Sequence, residues 1–261
     1  MSMYEPKTER SQFSQAEWDQ RVDMAAAHRL AHLQGFSEGI FNHLTAIVPD
    51  HPDQYLCLPF GMHWSEATAS CFLSVDFNKR VIKGRGEVER SSYGIHVPIH
   101  RMRPDAPYVF HIHAPYASAL TRLEDSRLLP IGQTEASFIH DIAYDVRYSG
   151  FGSTPGEGDR LGKVLGGKSI LFMGNHGIVV LGRTVGEAYD RMYYLERACQ
   201  TQLYAMWTGK KLRPISDEIA LKMGAPLNYK ELKYGGRAHF DLHFDALKRL
   251  LSGEPKTRFD E

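Results

Sequence analysis

Histidine is unusually frequent in this 261-residue chain, with 13 copies, and two of them, His111 and His113, stand two apart in YVFHIH. Neutral imidazole nitrogens are good ligands for divalent transition metals. In an extended strand, residues i and i+2 share one face about 7 Å apart, so both rings can converge on one ion at the strand end. Chance alone supplies about 0.6 such pairs for this composition, so the spacing needs support from context. The pair closes an apolar run and meets Ala-Pro at a strand-to-helix turn, and sites in α/β sheets tend to gather at the carboxyl ends of strands. His176 closes a second apolar run and is followed by Gly177, where a tight turn or a close backbone approach is possible. Three imidazoles, His111, His113 and His176, would leave coordination positions open for a substrate. Zinc suits them best, while Fe, Mn or Co would also be accepted.

Three other histidine pairs, His28/His32, His96/His100 and His239/His243, are spaced i, i+4, which on a helix puts two rings on one face. They are read as an ordinary helix face, as a pair divided by Pro98, and as packing among aromatics. One nucleotide signature is met letter by letter: Gly162 to Ser169 reads GKVLGGKS. Its context is inverted. A phosphate-cradling loop follows a strand and opens a helix, whereas here a helical stretch precedes the motif and the apolar run SILFMGNHGIVVLG follows it as a strand. Nucleotide binding is therefore rejected.

The elements that must carry these residues follow from patterning. Residues 1–13 are polar and read as a disordered leader, after which Ser14 and Glu17 form a capping box for a helix to about Leu33. Short apolar runs between Gly39 and Asp76 read as strands. Thr184 and Glu187 cap a long helix in which Val185, Ala188, Met192, Leu195, Cys199 and Leu203 form one apolar stripe. Alternating strands and helices give a layered α/β fold over 14–209, with 210–261 as a tail packing on the domain or on a neighbouring subunit. Lys+Arg and Asp+Glu balance at 31 each, so no charge surplus points to nucleic acid or an anionic membrane. With no export signal or apolar span, a cytoplasmic location is expected. Cys57, Cys71 and Cys199 read as reduced core thiols.

RLAHLQGFSEGIFNHLTAIV, LPFGMHWSEATAS, the run through RPDAPYVFHIHAPYASAL, RLLPIGQTEASF and MGNHGIVVLGRTVGEAYDRMYYLERACQTQ occur in one order. Together they resemble the class II aldolase/adducin N-terminal family, closer to adducin heads than to sugar-phosphate aldolases. The resemblance implies a three-layer α/β/α sandwich around a largely antiparallel sheet. It also implies a metal on His111, His113 and His176, and homo-oligomers, commonly tetramers. The aldolases' glutamate, nineteen residues before HxH, falls on Ser92, so aldolase activity is not implied. Glu135, in QTEAS, resembles the catalytic glutamate of dehydrating members, and Asn42 matches an anion-binding position, with Gly61 and Ser91 beside it. The reading is a divalent-metal lyase (dehydratase, decarboxylase or aldolase type) acting on a small carbonyl or hydroxy-acid substrate through an enolate. The rival is an adducin-like assembly module without turnover.

Overall fold

The computed structural model describes residues 8–148, 150, 154–224, 233–252 and 259–260. The first helix, α1 (Gln15–Leu33), begins where the Ser14 hydroxyl accepts the Glu17 N–H at 3.2 Å. The box is one-sided: the Glu17 carboxylate turns inward to Arg21 at 2.9 Å and Lys83 at 3.0 Å instead of capping. Within the expected leader, residues 1–7 lie outside the described residues, while Arg10–Gln12 form a short 3-10 turn and Phe13 is buried under the Arg21 guanidinium.

Then come β1 (His43–Val48), β2 (His51–Cys57), β3 (Leu73–Asp76), β4 (Val81–Lys83), α2 (Arg90–Met102), β5 (Tyr108–Ile112), α3 (Pro115–Leu120) and α4 (Gln133–Phe138). They are followed by β6 (Ile142–Asp145), α5 (Glu157–Leu165), β7 (Ile170–Met173), β8 (Ile178–Gly182) and α6 (Val185–Trp207). Eight strands form one sheet in the order β4-β3-β2-β1-β5-β8-β7-β6, antiparallel except for β6 beside β7. Helices cover both faces, so the expected three-layer α/β/α sandwich is the fold. Period-two alternation divides each strand between the layers. Phe110 and Ile112 of β5 pack toward α1 and α6, whereas Val109 packs toward α2 and α5. Burying one such Phe contributes about 2–3 kcal/mol. His111 is in step with Val109, which puts it on the α2 side.

One expectation needs correction. The run 169–182, read as a single strand, is the hairpin β7–β8. Every residue of both arms is buried, so no polar alternation marks the turn. Asn175 makes it by adopting φ 57°, a left-handed conformation that Asn tolerates better than most residues. The inverted context of the GKVLGGKS motif is borne out: Gly162 lies in α5, and β7 follows. Cys57, Cys71 and Cys199 are free and buried.

The tail adds α7 (Asp217–Gly224), a small hairpin of β9 (Lys233–Tyr234) and β10 (Arg237–Ala238), and α8 (His239–Ser252). Helix α8 lies on α6 and α1, tied by His243 Nδ1 to Asp190 at 2.6 Å and by Lys248 to Asp23 at 2.9 Å. Among the described residues, no helix is long and apolar enough to cross a membrane.

Candidate metal centre

Strand β5 delivers His111 and His113, and the β7–β8 turn delivers His176, so three sequence-distant imidazoles meet at one end of the sheet. Their ring centroids are 4.9, 4.9 and 4.7 Å apart, and one ligand nitrogen from each lies within 4.8 Å of the others. The turn is pinned by the His176 N–H to the Met173 carbonyl at 3.0 Å and by Asn175 N–H to the Thr121 carbonyl at 2.8 Å. Gly177 has no room for a side chain: a Cβ there would stand 2.6 Å from the His113 ring and 2.6 Å from the Ile112 carbonyl oxygen.

The outer nitrogens determine which ring atoms are free. His111 Nδ1 lies 2.9 Å from the Ile178 carbonyl oxygen, which can only accept. His113 Nδ1 is paired with the Glu38 carboxylate. Each Nδ1 must therefore carry the proton, and each Nε2 is left with a lone pair. The two Nε2 atoms are 3.2 Å apart. Two lone pairs facing at that distance repel unless a cation lies between them, and tetrahedral zinc with bonds of about 2.05 Å needs a nitrogen–nitrogen edge of roughly 3.3 Å. Burial holds His111 well below its ordinary pKa and His176 at about 4, with the neighbouring histidines pushing the same way. His111 and His176 are thus neutral and available as ligands.

Asn42, at φ 70°, accepts the His113 N–H on Oδ1 at 2.8 Å, while its buried Nδ2 has no hydrogen-bond partner among the described residues. Gly61 turns at φ 93° in the loop where Phe60 packs on Phe41, next to Asn42. Ser91 opens α2, and its hydroxyl lies 2.9 Å from His43 Nε2. Glu135 is placed differently. It is buried in α4 with its carboxyl against Gly132, and α4 packs on α6, on the other face of the sheet. The structure brings Glu135 into no contact with the triad.

Three residues at the centre carry no motif in the sequence. Glu38 orients His113. His43 faces His111 in strand register, with ring centroids 5.2 Å apart. Glu89 lies 3.3 Å from His43 Nε2. Behind His43 runs a buried chain: His43 Nδ1 to His96 Nε2 at 3.0 Å, His96 Nδ1 to Thr45 Oγ1 at 2.7 Å, and Thr45 Oγ1 to His100 Nε2 at 2.8 Å. The i, i+4 pair His96/His100 thus holds the shell behind His111. His28 is buried against Trp64 and Phe72, and His239 and His243 flank Asp190.

The chain is thus a layered α/β sandwich with three imidazoles gathered at one end of its sheet. The Class II Aldolase and Adducin N-terminal domain matches residues 22–203. The chain belongs to that family. A putative aldolase class 2 protein from Caulobacter vibrioides is 35% identical over 79% of this chain and 80% of its own length. Mouse alpha-adducin is 36% identical over 70% of this chain, which spans 25% of that protein. Among solved structures, an aldolase II superfamily protein from Pseudomonas syringae superposes with TM-score 0.87 at 31% identity, covering 95% of this chain and 98% of the other. L-fuculose 1-phosphate aldolase from Glaciozyma antarctica gives TM-score 0.78 at 25% identity, covering 97% of each chain.

Proposed function

We propose that the protein is a divalent-metal-dependent lyase acting on a small hydroxylated carbonyl or hydroxy-acid substrate, with His111, His113 and His176 as the metal ligands. The observation that carries this reading is the pair of Nε2 lone pairs 3.2 Å apart, each fixed by an acceptor on the opposite nitrogen. A bound dication supplies Lewis-acid polarisation of a substrate oxygen, and zinc is the ion the donor set favours. Around it, Asn42 offers an unengaged buried amide donor to a substrate oxygen, and Gly61 and Ser91 complete that side of the rim.

Glu135 enters this reading as the proton-transfer residue. Burial raises its pKa, which suits a general acid, although its carboxyl lies against Gly132. A homo-oligomer, tetrameric by family habit, belongs to the same reading. The similarity to alpha-adducin favours a second one, a head domain that assembles without turnover.

The test is the metal content of the purified full-length protein, followed by turnover of a panel of hydroxy acids and sugar phosphates by wild type, His111→Ala and Glu135→Gln. One equivalent of metal, lost in His111→Ala together with turnover, is the expected result. Wild type that binds no metal refutes the lyase reading. Full activity in Glu135→Gln removes that residue and leaves the metal assignment standing.

A further inference from the structure

The first turn of α2 gathers hydrogen-bond donors, and this chain has filled them with its own carboxylate. Glu89 Oε2 accepts the Ser91 hydroxyl at 2.5 Å and the Ser92 N–H at 2.7 Å, with His43 Nε2 at 3.3 Å. All three converge on one oxygen, and among the described residues no hydrogen bond reaches Oε1. These donors outweigh the cost of burial and pull the carboxyl down to about 2, so it is a permanent anion. The polarity of the imidazole chain agrees. An ionised Glu89 only accepts, so His43 carries its proton on Nε2 and accepts on Nδ1 from His96.

Glu89 also lines a cavity of about 730 Å³ with Lys79, Arg90, Tyr93 and Arg101. Lys79 lies over the Tyr93 ring at 4.2 Å, Arg101 gives one hydrogen bond to the Phe77 carbonyl at 3.3 Å, and Glu87 adds a second carboxylate to the lining. A negative group entering beside Glu89 would meet a fixed negative charge on donors already in use. A hydroxyl would meet a free acceptor.

We propose that Glu89 is a specificity-determining residue: it occupies the anion position at the start of α2 and presents Oε1 to a hydroxyl, so the substrate end bound there carries no phosphate. This rests on the metal-dependent reading above and narrows its substrate to unphosphorylated hydroxy compounds. It differs in this from the sugar phosphate named for the Glaciozyma antarctica structure.

The probes are glycerate and 3-phosphoglycerate, which differ only in carrying a hydroxyl or a phosphate at the far end, titrated calorimetrically into the metal-loaded full chain. Wild type is expected to bind glycerate more tightly. Glu89→Ala should shift the ratio of affinities toward 3-phosphoglycerate at least about tenfold, or 1.4 kcal/mol. Glu89→Gln, which keeps the size of the side chain, should shift it in the same direction by less and covers the case in which the alanine variant misfolds. Inorganic phosphate titrated into metal-stripped protein reads the donor cluster without the ion: Glu89→Ala should gain phosphate binding, and Ser91→Ala added to it should abolish the gain. A gain in that arm from a protein that never holds metal would sink the lyase reading and keep this one. Equal phosphate binding by stripped wild type and Glu89→Ala, or an unchanged affinity ratio in the loaded variants, overturns the proposal.

Discussion

Replacing Gly177 with alanine tests the metal centre by geometry alone. The new methyl would stand 2.6 Å from the His113 ring carbon and 2.6 Å from the Ile112 carbonyl, where ordinary contacts begin at 3.4 Å. The carbonyl belongs to β5, which is hydrogen-bonded on both sides, so the turn that carries His176 and the His113 ring are the parts that give way. They must shift by about 0.8 Å, several times the roughly 0.2 Å over which metal–ligand distances are tolerated. A misplaced ligand of this kind weakens binding about 10- to 100-fold, or 1.4–2.7 kcal/mol. The assay is competition for zinc against a chromogenic chelator, with unfolding midpoints measured in parallel. Gly162→Ala is the control. Its Cβ would stand 2.6 Å from the Met102 sulfur, where α5 meets the far end of α2 and away from the triad. It should lower the midpoint and leave zinc affinity alone. Unchanged zinc affinity in folded Gly177→Ala would refute the placement of His113 in the coordination shell.

Glu38→Gln should weaken zinc binding about tenfold or more while hardly changing the unfolding midpoint, because Glu38 is exposed and acts by orienting His113; chelator competition checks this. His28 titrates at about 4 in the folded protein, pushed down by burial, against about 6.5 unfolded. The unfolded chain therefore binds more protons between those values, and stability falls as pH drops through that window, by about 3 kcal/mol from this residue. Urea titrations from pH 7 to 4 should show that slope, and His28→Phe should lessen it by close to one proton. Glu196 takes the Tyr116 and Ala117 N–H groups at 2.7 and 2.8 Å at the start of α3, so Glu196→Ala should cost about 1–3 kcal/mol by leaving them unpaired, read from denaturant melts.

The parts of the centre legible in the sequence are those set by local pattern. An apolar run ending in HxH gives a strand end with two rings on one face, and that holds for His111 and His113. The caps at Ser14 and Thr184 mark two helix starts for the same reason. The β7–β8 turn stays hidden because two wholly buried arms lack the alternation that separates strand from turn. Glu38, His43 and Glu89 reach the triad only because β1 lies beside β5 and α2 crosses both, relations that no spacing along the chain encodes. Glu135 shows the reverse: its place in the chain suits the site, while its carboxyl lies against Gly132 in α4's own first turn.

The file of imidazoles behind His111 ends on His100, whose Nδ1 is buried and has no hydrogen-bond partner among the described residues. Each proton in the file points from His100 toward Glu89, and none can reverse unless all do. His96 and His100 are also buried, so their N–H protons are shielded from exchange with solvent while α2 lies on the sheet. Such protons give separate low-field lines in a proton NMR spectrum. The protein thus carries its own reporter, whose lines broaden when α2 lifts and shift when the neighbouring His111 takes up an ion.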